Sequence, residues 1–164
     1  VELLRKLIDD QVKAYRKKSV VKAGKFSEML QQSVNAYLNG MLTNAEVIQQ
    51  LLDMAKEIME ARQEGKALGL DDEELAFYDA LTKPQAIKDF YANDELVAIT
   101  RELTDTLRRN RTIDWQKKDD ARARMRRSIK RLLKKHKYPP DEVPEAIETV
   151  MQQCELWVDY GEGN

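Results

Sequence analysis

Apolar side chains recur at three- and four-residue steps along almost the whole chain, and no stretch sustains the two-residue alternation of a half-buried strand. Val1, Leu4, Ile8, Val12 and Tyr15 draw one narrow stripe, which predicts a first helix ending near the RKKS cluster at 16–19. A second helix is predicted after Gly24, with Ser27 capping SEMLQQSVNAYL and Asn39-Gly40 supplying the left-handed stop. Thr43 and Glu46 have the spacing of a capping box, and Val47, Ile48, Leu51, Leu52, Ala55, Ile58 and Met59 carry a long helix that Gly65 and Gly69 end. Asp71 and Glu74 repeat that box, Leu70 and Leu75 are placed to staple across it, and a short helix follows to Leu81. A connecting segment is expected after Pro84, then a helix opened by Asn93 or Asp94 and carried by Leu96, Ile99, Leu103 and Leu107. Next comes a basic helix, which YPPD at 138–141 breaks. The last helix holds Val143, Ile147, Val150, Met151, Cys154, Trp157 and Val158 on one face. The fold class that follows is all-α, an irregular bundle of about six to eight helices.

At 164 residues the chain has the length of one helical domain, residues 1–164, since a division in two would leave each half with a marginal core. Apolar residues make up 42% and charged residues 35%, too apolar for a disordered tail and too charged for a membrane protein. No apolar run approaches the length of a bilayer span and no signal segment is visible, so a cytoplasmic protein is expected. Val1 already lies inside an amphipathic pattern without a capping residue, so a fragment of something longer is expected. One Cys and one His leave no material for a disulfide or a multi-histidine metal centre.

Charge changes this picture, because a net charge of -1 conceals strong polarity. Lys and Arg against Asp and Glu count 11 to 9 over residues 1–70, 2 to 8 over 71–100, 15 to 5 over 101–137 and 0 to 7 over 138–164. At about 100° per residue, Ala121, Met125, Ile129, Leu132, Leu133 and His136 share one arc of the basic helix and must face the core. The acidic last helix is expected to pack antiparallel beside it, with Glu142, Glu145 and Glu148 pairing cations such as Arg126, Lys130 and Lys137. Arg124, Arg127, Arg131 and Lys134 project from the opposite side. They suit a solvated or protein-docking face, a surface for nucleic-acid phosphates, or a membrane-surface helix. Arg122 falls among the apolar residues, where an unpaired guanidinium is costly, so a carboxylate partner is expected for it.

Catalytic motifs are tested and rejected. AGKF at 23–26 contains the Gly-Lys of a phosphate loop, but Ser19 stands in place of its first Gly and Phe26 in place of the Ser or Thr. DDEE at 71–74 sits where an acidic helix cap belongs, so Asp71 is assigned to structure and not to a metal. His136 has no second His and no nearby nucleophile, and reads as a satisfied core histidine. Cys154, on a core face, reads as an inert thiol. Catalytic, cofactor and metal sites are expected to be absent.

Several blocks, in order along nearly the whole chain, resemble the C-terminal helical domain of the restriction (R) subunit of type I restriction-modification enzymes. They are FSEML at 26–30, AEVIQQLLDMAKEI at 45–58, LGLDDEELAFYDAL at 68–81, IDW at 113–115, ARARMRRSIKRLLKKHKYPPD from Ala121 and AIETVMQQCEL from Ala146. Trp115, inside one of these blocks, is expected to serve structure. The departures are His136-Lys137, where the family often has Tyr-Gly, and Cys154, where it often has Ala. The resemblance implies a C-terminal fragment of a multidomain cytoplasmic subunit, whose missing parts hold a nuclease and two motor domains that use ATP and Mg²⁺ to translocate DNA. It also implies that this domain docks the subunit onto the methyltransferase and specificity subunits without catalysis of its own. Contact of the basic helix with duplex DNA phosphates remains the alternative, since no aromatic lies between Trp115 and Tyr138 to stack on single strands.

Overall fold

A computed structural model describes the backbone of residues 1–160 and the side chains of residues 1–157. Among the described residues there are eight α-helices and no strand: α1 (Glu2–Tyr15), α2 (Val20–Leu38), α3 (Asn44–Leu68), α4 (Asp72–Leu81), α5 (Gln85–Phe90), α6 (Asn93–Asn110), α7 (Asp119–Lys135) and α8 (Val143–Tyr160). Single 3-10 turns at Trp115–Lys117 and Pro140–Glu142 lead into α7 and α8. The all-α expectation holds.

Both capping boxes form as spaced. Thr43 accepts from the Glu46 N–H at 3.1 Å while Glu46 accepts from the Thr43 N–H at 2.9 Å, and Asp71 and Glu74 exchange the same bonds at 2.8 and 3.0 Å. Between them α3 ends on Gly69 at φ 72, with the Leu70 N–H returning to the Gly65 carbonyl at 2.8 Å. Gly65 therefore does not stop the helix. A Cβ there would stand 3.0 Å from the Leu70 carbonyl oxygen and 3.3 Å from Leu75 Cδ2, so the missing side chain is what lets α4 turn tightly against α3.

Three boundaries differ from expectation. α2 begins four residues before Gly24, because Ser19 and not Ser27 is the cap, its hydroxyl accepting from the Lys22 N–H at 3.2 Å. Gly24 and Ser27 both lie inside that helix, as does the whole AGKF segment. After Pro84 the chain forms α5, whose Ile87 is fully buried, instead of an irregular connection. α6 is capped from Ala92, whose N–H donates to Glu95 at 3.0 Å.

The helices enclose two separate apolar cores. α1, α2 and α3 bury Ile8, Val12, Phe26, Leu51 and Ile58, among others, in the smaller one. The larger fills the space between α4 and α8, with Phe77 edge-on to Trp157 at a centroid distance of 4.7 Å and with Trp115, Met125, Ile129 and Val150 beneath. Where the two units meet, a polar cluster joins the apolar contacts that Val21 and Leu68 make with the larger core. Lys22 Nζ donates to both carboxylate oxygens of Asp79 at 2.7 Å and to Glu64 at 2.8 Å, and the Ser19 hydroxyl donates to Asp79 at 3.2 Å. Gln153 of α8 accepts from the Val20 N–H and donates to the Lys18 carbonyl, both at 2.9 Å, closing the α1–α2 turn onto the second unit.

Candidate functional site

The basic helix begins in Asp119 and Asp120, which favour a helix N-terminus, and ends in Lys134 and Lys135, which favour a C-terminus. Its predicted arc is buried: Met125, Ile129 and Leu133 have no exposed surface, and Ala121 and Leu132 little. Tyr138, just beyond, is buried and donates to the Leu81 carbonyl at 2.7 Å, while Tyr91 donates to the His136 carbonyl at 2.7 Å. These bonds fix how far α7 can rotate. Desolvation holds the Tyr138 phenol above its ordinary pKa and so keeps it a donor.

Cations on the flanks of this arc have partners. Arg122 bonds Glu155 and also donates to the Gln116 carbonyl at 3.4 Å; three-quarters of its side chain is covered, so the expected carboxylate is there at a half-buried rim. Arg126 donates to both oxygens of Glu148 at 2.7 and 3.1 Å. Since Arg122 meets Glu155 and Arg126 meets Glu148, α7 and α8 run antiparallel. On the other flank Glu102 of α6 takes Lys135 at 2.5 Å and His136 through its Nε2. The hydrogen bonds from Lys135, and then from His136, lower the Glu102 pKa. His136 is satisfied as expected, but it ends the helix with 26% of its side chain exposed and is not a core residue.

The outward cations are different. Arg124, Arg127, Arg131 and Lys134 are all exposed, and among the described residues none of their side chains makes a hydrogen bond or ion pair. Two further cations join them. Lys130 and Lys137, expected to pair with the last helix, are exposed and their side chains are without a partner among the described residues, while Glu145 pairs with Lys83 at 3.2 Å. Lys137 sits at φ 58, a left-handed turn that directs the chain into the prolines. The free cations from Arg124 to Lys134 form a ridge roughly 15 Å long at 1.5 Å per residue.

Nothing chemical gathers around this ridge. Asp71 caps α4 and pairs with Arg108 at 3.3 Å. Trp115 is buried in the larger core, held by a turn in which Asp114 adopts φ 57. Burial pushes the Cys154 thiol up to about 12, so at neutral pH it is a protonated thiol inside the core. Among the described residues no three His, Cys, Asp or Glu side chains are grouped to hold a metal, and no described helix is long and apolar enough to cross a membrane. Val158, assigned to the last apolar face, lies outside the residues whose side chains are described.

Comparison with known proteins adds an identity to this geometry. The family described as "Type I restriction enzyme HindI endonuclease subunit-like, C-terminal" matches residues 1–159. The chain is 43% identical over 130 residues to the type I restriction enzyme HindI endonuclease subunit of Haemophilus influenzae, a match covering 79% of this chain and 12% of that protein. It is 34% identical over 137 residues to a putative type I restriction enzyme MjaIXP endonuclease subunit of Methanocaldococcus jannaschii, covering 82% of this chain and 13% of that protein. No solved structure matches.

Proposed function

The chain belongs to the C-terminal family of type I restriction enzyme HindI endonuclease subunit-like proteins, and on that premise we propose that it is the non-catalytic assembly domain of such a subunit. It docks the endonuclease subunit onto the methyltransferase and specificity subunits, while ATP, Mg²⁺ and the cutting of DNA belong to the rest of the polypeptide. The domain spans residues 1–164 and works in the cytoplasm with the parent complex.

One observation carries the reading: α7 sorts its cations. Arg122, Arg126 and Lys135 are each bound to a carboxylate, whereas the ridge of Arg124, Arg127, Lys130, Arg131 and Lys134 is left without partners among the described residues. Unpaired exposed cations on a helix locked from behind are a ready complement to an acidic surface. Duplex DNA fits less well, because Asp119 and Asp120 stand exposed at the start of the same helix and would repel a continuous line of phosphates. A protein surface can supply a matching reversal of sign at that end.

Arg127→Glu with Arg131→Glu, made in the full-length endonuclease subunit, tests this. Capture by the methyltransferase and specificity subunits should fall by roughly tenfold or more at low salt, where exposed charges are least screened, with DNA affinity unchanged. Loss of DNA affinity together with a shallower salt dependence would establish phosphate contacts instead. Wild-type behaviour in both assays would reduce the ridge to a solvated face.

A further inference from the structure

Among the described residues nine large apolar side chains are exposed, and seven belong to the smaller three-helix unit: Leu3, Leu7, Leu38, Met41, Ile48, Leu52 and Met59. Scattered exposed leucines need no explanation, but five of these seven are aligned. On α3, Ile48, Leu52, Ala55, Met59 and Arg62 follow steps of four, three, four and three. On α1, Leu3, Leu7, Gln11 and Ala14 follow steps of four, four and three. Each set is one helix stripe.

Both stripes border the same groove. A cavity of about 310 Å³ is lined by Gln11, Ala14, Tyr15 and Lys18 on one side and by Ala61 and Arg62 on the other, and is closed at its end by α4 through Leu75 and Ala76 and by the Lys22–Asp79 pair, which sets the C-terminal parts of α1 and α3 side by side. By helical periodicity those stripes continue toward the N-termini as Leu3 and Leu7 on that edge of α1 and as Ile48, Leu52 and Met59 on that edge of α3. The two edges are thus apolar toward the helix N-termini and polar where the cavity lies. There the Gln11 Oε1 and Tyr15 Oη atoms are buried without a hydrogen-bond partner. At its mouth, Lys18 and Arg62 are exposed and without an ion pair among the described residues, with Asp72 the acid on the rim.

We propose that this groove seats an amphipathic segment of the same endonuclease polypeptide lying outside this chain, its apolar side chains on Leu3, Leu7, Ile48, Leu52 and Met59 and an acidic side chain between Lys18 and Arg62. Source and chemistry each have a basis. The chain spans 12% and 13% of the relatives it matches, so most of such a polypeptide lies beyond it. A helix presenting apolar residues at steps of three and four fits between two helices set side by side. The free Lys18 and Arg62 call for a carboxylate. This assignment rests on family membership but not on the α7 ridge, which belongs to a helix of the larger core.

The test uses the full-length endonuclease subunit with p-benzoylphenylalanine in place of Leu52 or, separately, of Met59, irradiated within the assembled enzyme and mapped by mass spectrometry. The expected cross-link joins α3 to a peptide of the same subunit outside this chain. Cross-links from both positions only to another subunit, only to a second copy, or to nothing would overturn the proposal. The same label at Arg131 examines the α7 ridge independently, so one idea can fail without the other. Arg62→Glu should lower amide protection in α1 and α3 by roughly tenfold while leaving α6 to α8 unchanged; unchanged protection throughout would remove the acidic contact from the proposal.

Discussion

The α7–α8 contact and the α2–α4 contact each join two helices with charged and apolar side chains, but they place the charges in opposite positions. Between α7 and α8 the middle is Met125, Ile129, Val150 and Cys154, and the ion pairs of Arg122 and Arg126 lie on the rim in partial contact with water. Between α2 and α4 the charges are the middle: the side chains of Lys22 and Asp79 are each 9% exposed. A rim pair adds little and costs little, because water serves either ion almost as well. A central pair is different, since both ions are almost out of water and removing one leaves the other charge uncompensated. The same chemistry therefore trims one contact and decides the other.

Asp79→Ala should break the contrast most strongly. It removes the carboxylate that takes two of the Lys22 hydrogen bonds and leaves a buried ammonium with Glu64 alone, a loss of about 3–5 kcal/mol read from urea unfolding. Lys22→Met with Asp79→Leu together should cost less than Asp79→Ala alone, because both charges leave at once. A double variant as unstable as the single one would mean that the seam is held by its shape and not by its charge. Both carboxylates hold Lys22 protonated above its ordinary range against the opposing effect of burial. Its folded pKa is raised, so its stabilisation is complete below the unfolded lysine value and is lost as pH climbs through the folded one. Wild type should show this alkaline loss and the Lys22→Met variant should not.

Arg122→Ala sharpens the comparison from the rim. The apolar arc alone suggests a fully buried guanidinium and a cost near that of the seam, but a quarter of the side chain reaches solvent and Glu155 is 39% exposed. Loss of the pair and of the Arg122 stem over the core edge should cost about 1 kcal/mol. A cost equal to that of Asp79→Ala would erase the distinction between rim and centre.

How much of this is legible in the sequence follows from the same distinction. Local signals are plain: the two capping boxes, the apolar arc of α7 and the outward direction of Arg124, Arg127, Arg131 and Lys134 depend only on neighbours three or four residues away. The seam is not legible. Ser19 and Lys22 stand in RKKSVVKAGKF, a run that looks like a charged surface turn, and their partner Asp79 lies 57 residues beyond Lys22. A helix start after Gly24 is accordingly too late, since that glycine has open space around it and no turn to make. α5 escapes the pattern because six residues with one buried side chain give no periodicity to count. Lys130 and Lys137 are assigned the wrong partners because the wheel gives an angle around α7 but not the reach of α8, whose Glu145 goes to Lys83.

The smallest effect is expected at Glu102, where a rim carboxylate serves two cations. Lys135 and His136 both hold its pKa below the ordinary glutamate value, which by itself would suggest a substantial contribution. Yet 35% of the Glu102 side chain and 65% of Lys135 are in solvent, so screening removes most of it and Glu102→Gln should cost about 0.5 kcal/mol or less. The sign over pH is definite. A folded carboxylate with a lowered pKa stabilises above its unfolded value and loses that contribution as pH falls through the folded one. Urea midpoints of wild type and Glu102→Gln should therefore differ slightly at neutral pH and converge in acid below the ordinary glutamate range. A gap that persists or widens in acid would mean that the amide in place of the Glu102 carboxylate disturbs the packing of α6 on α7, and that this edge belongs with the seam and not with the rim.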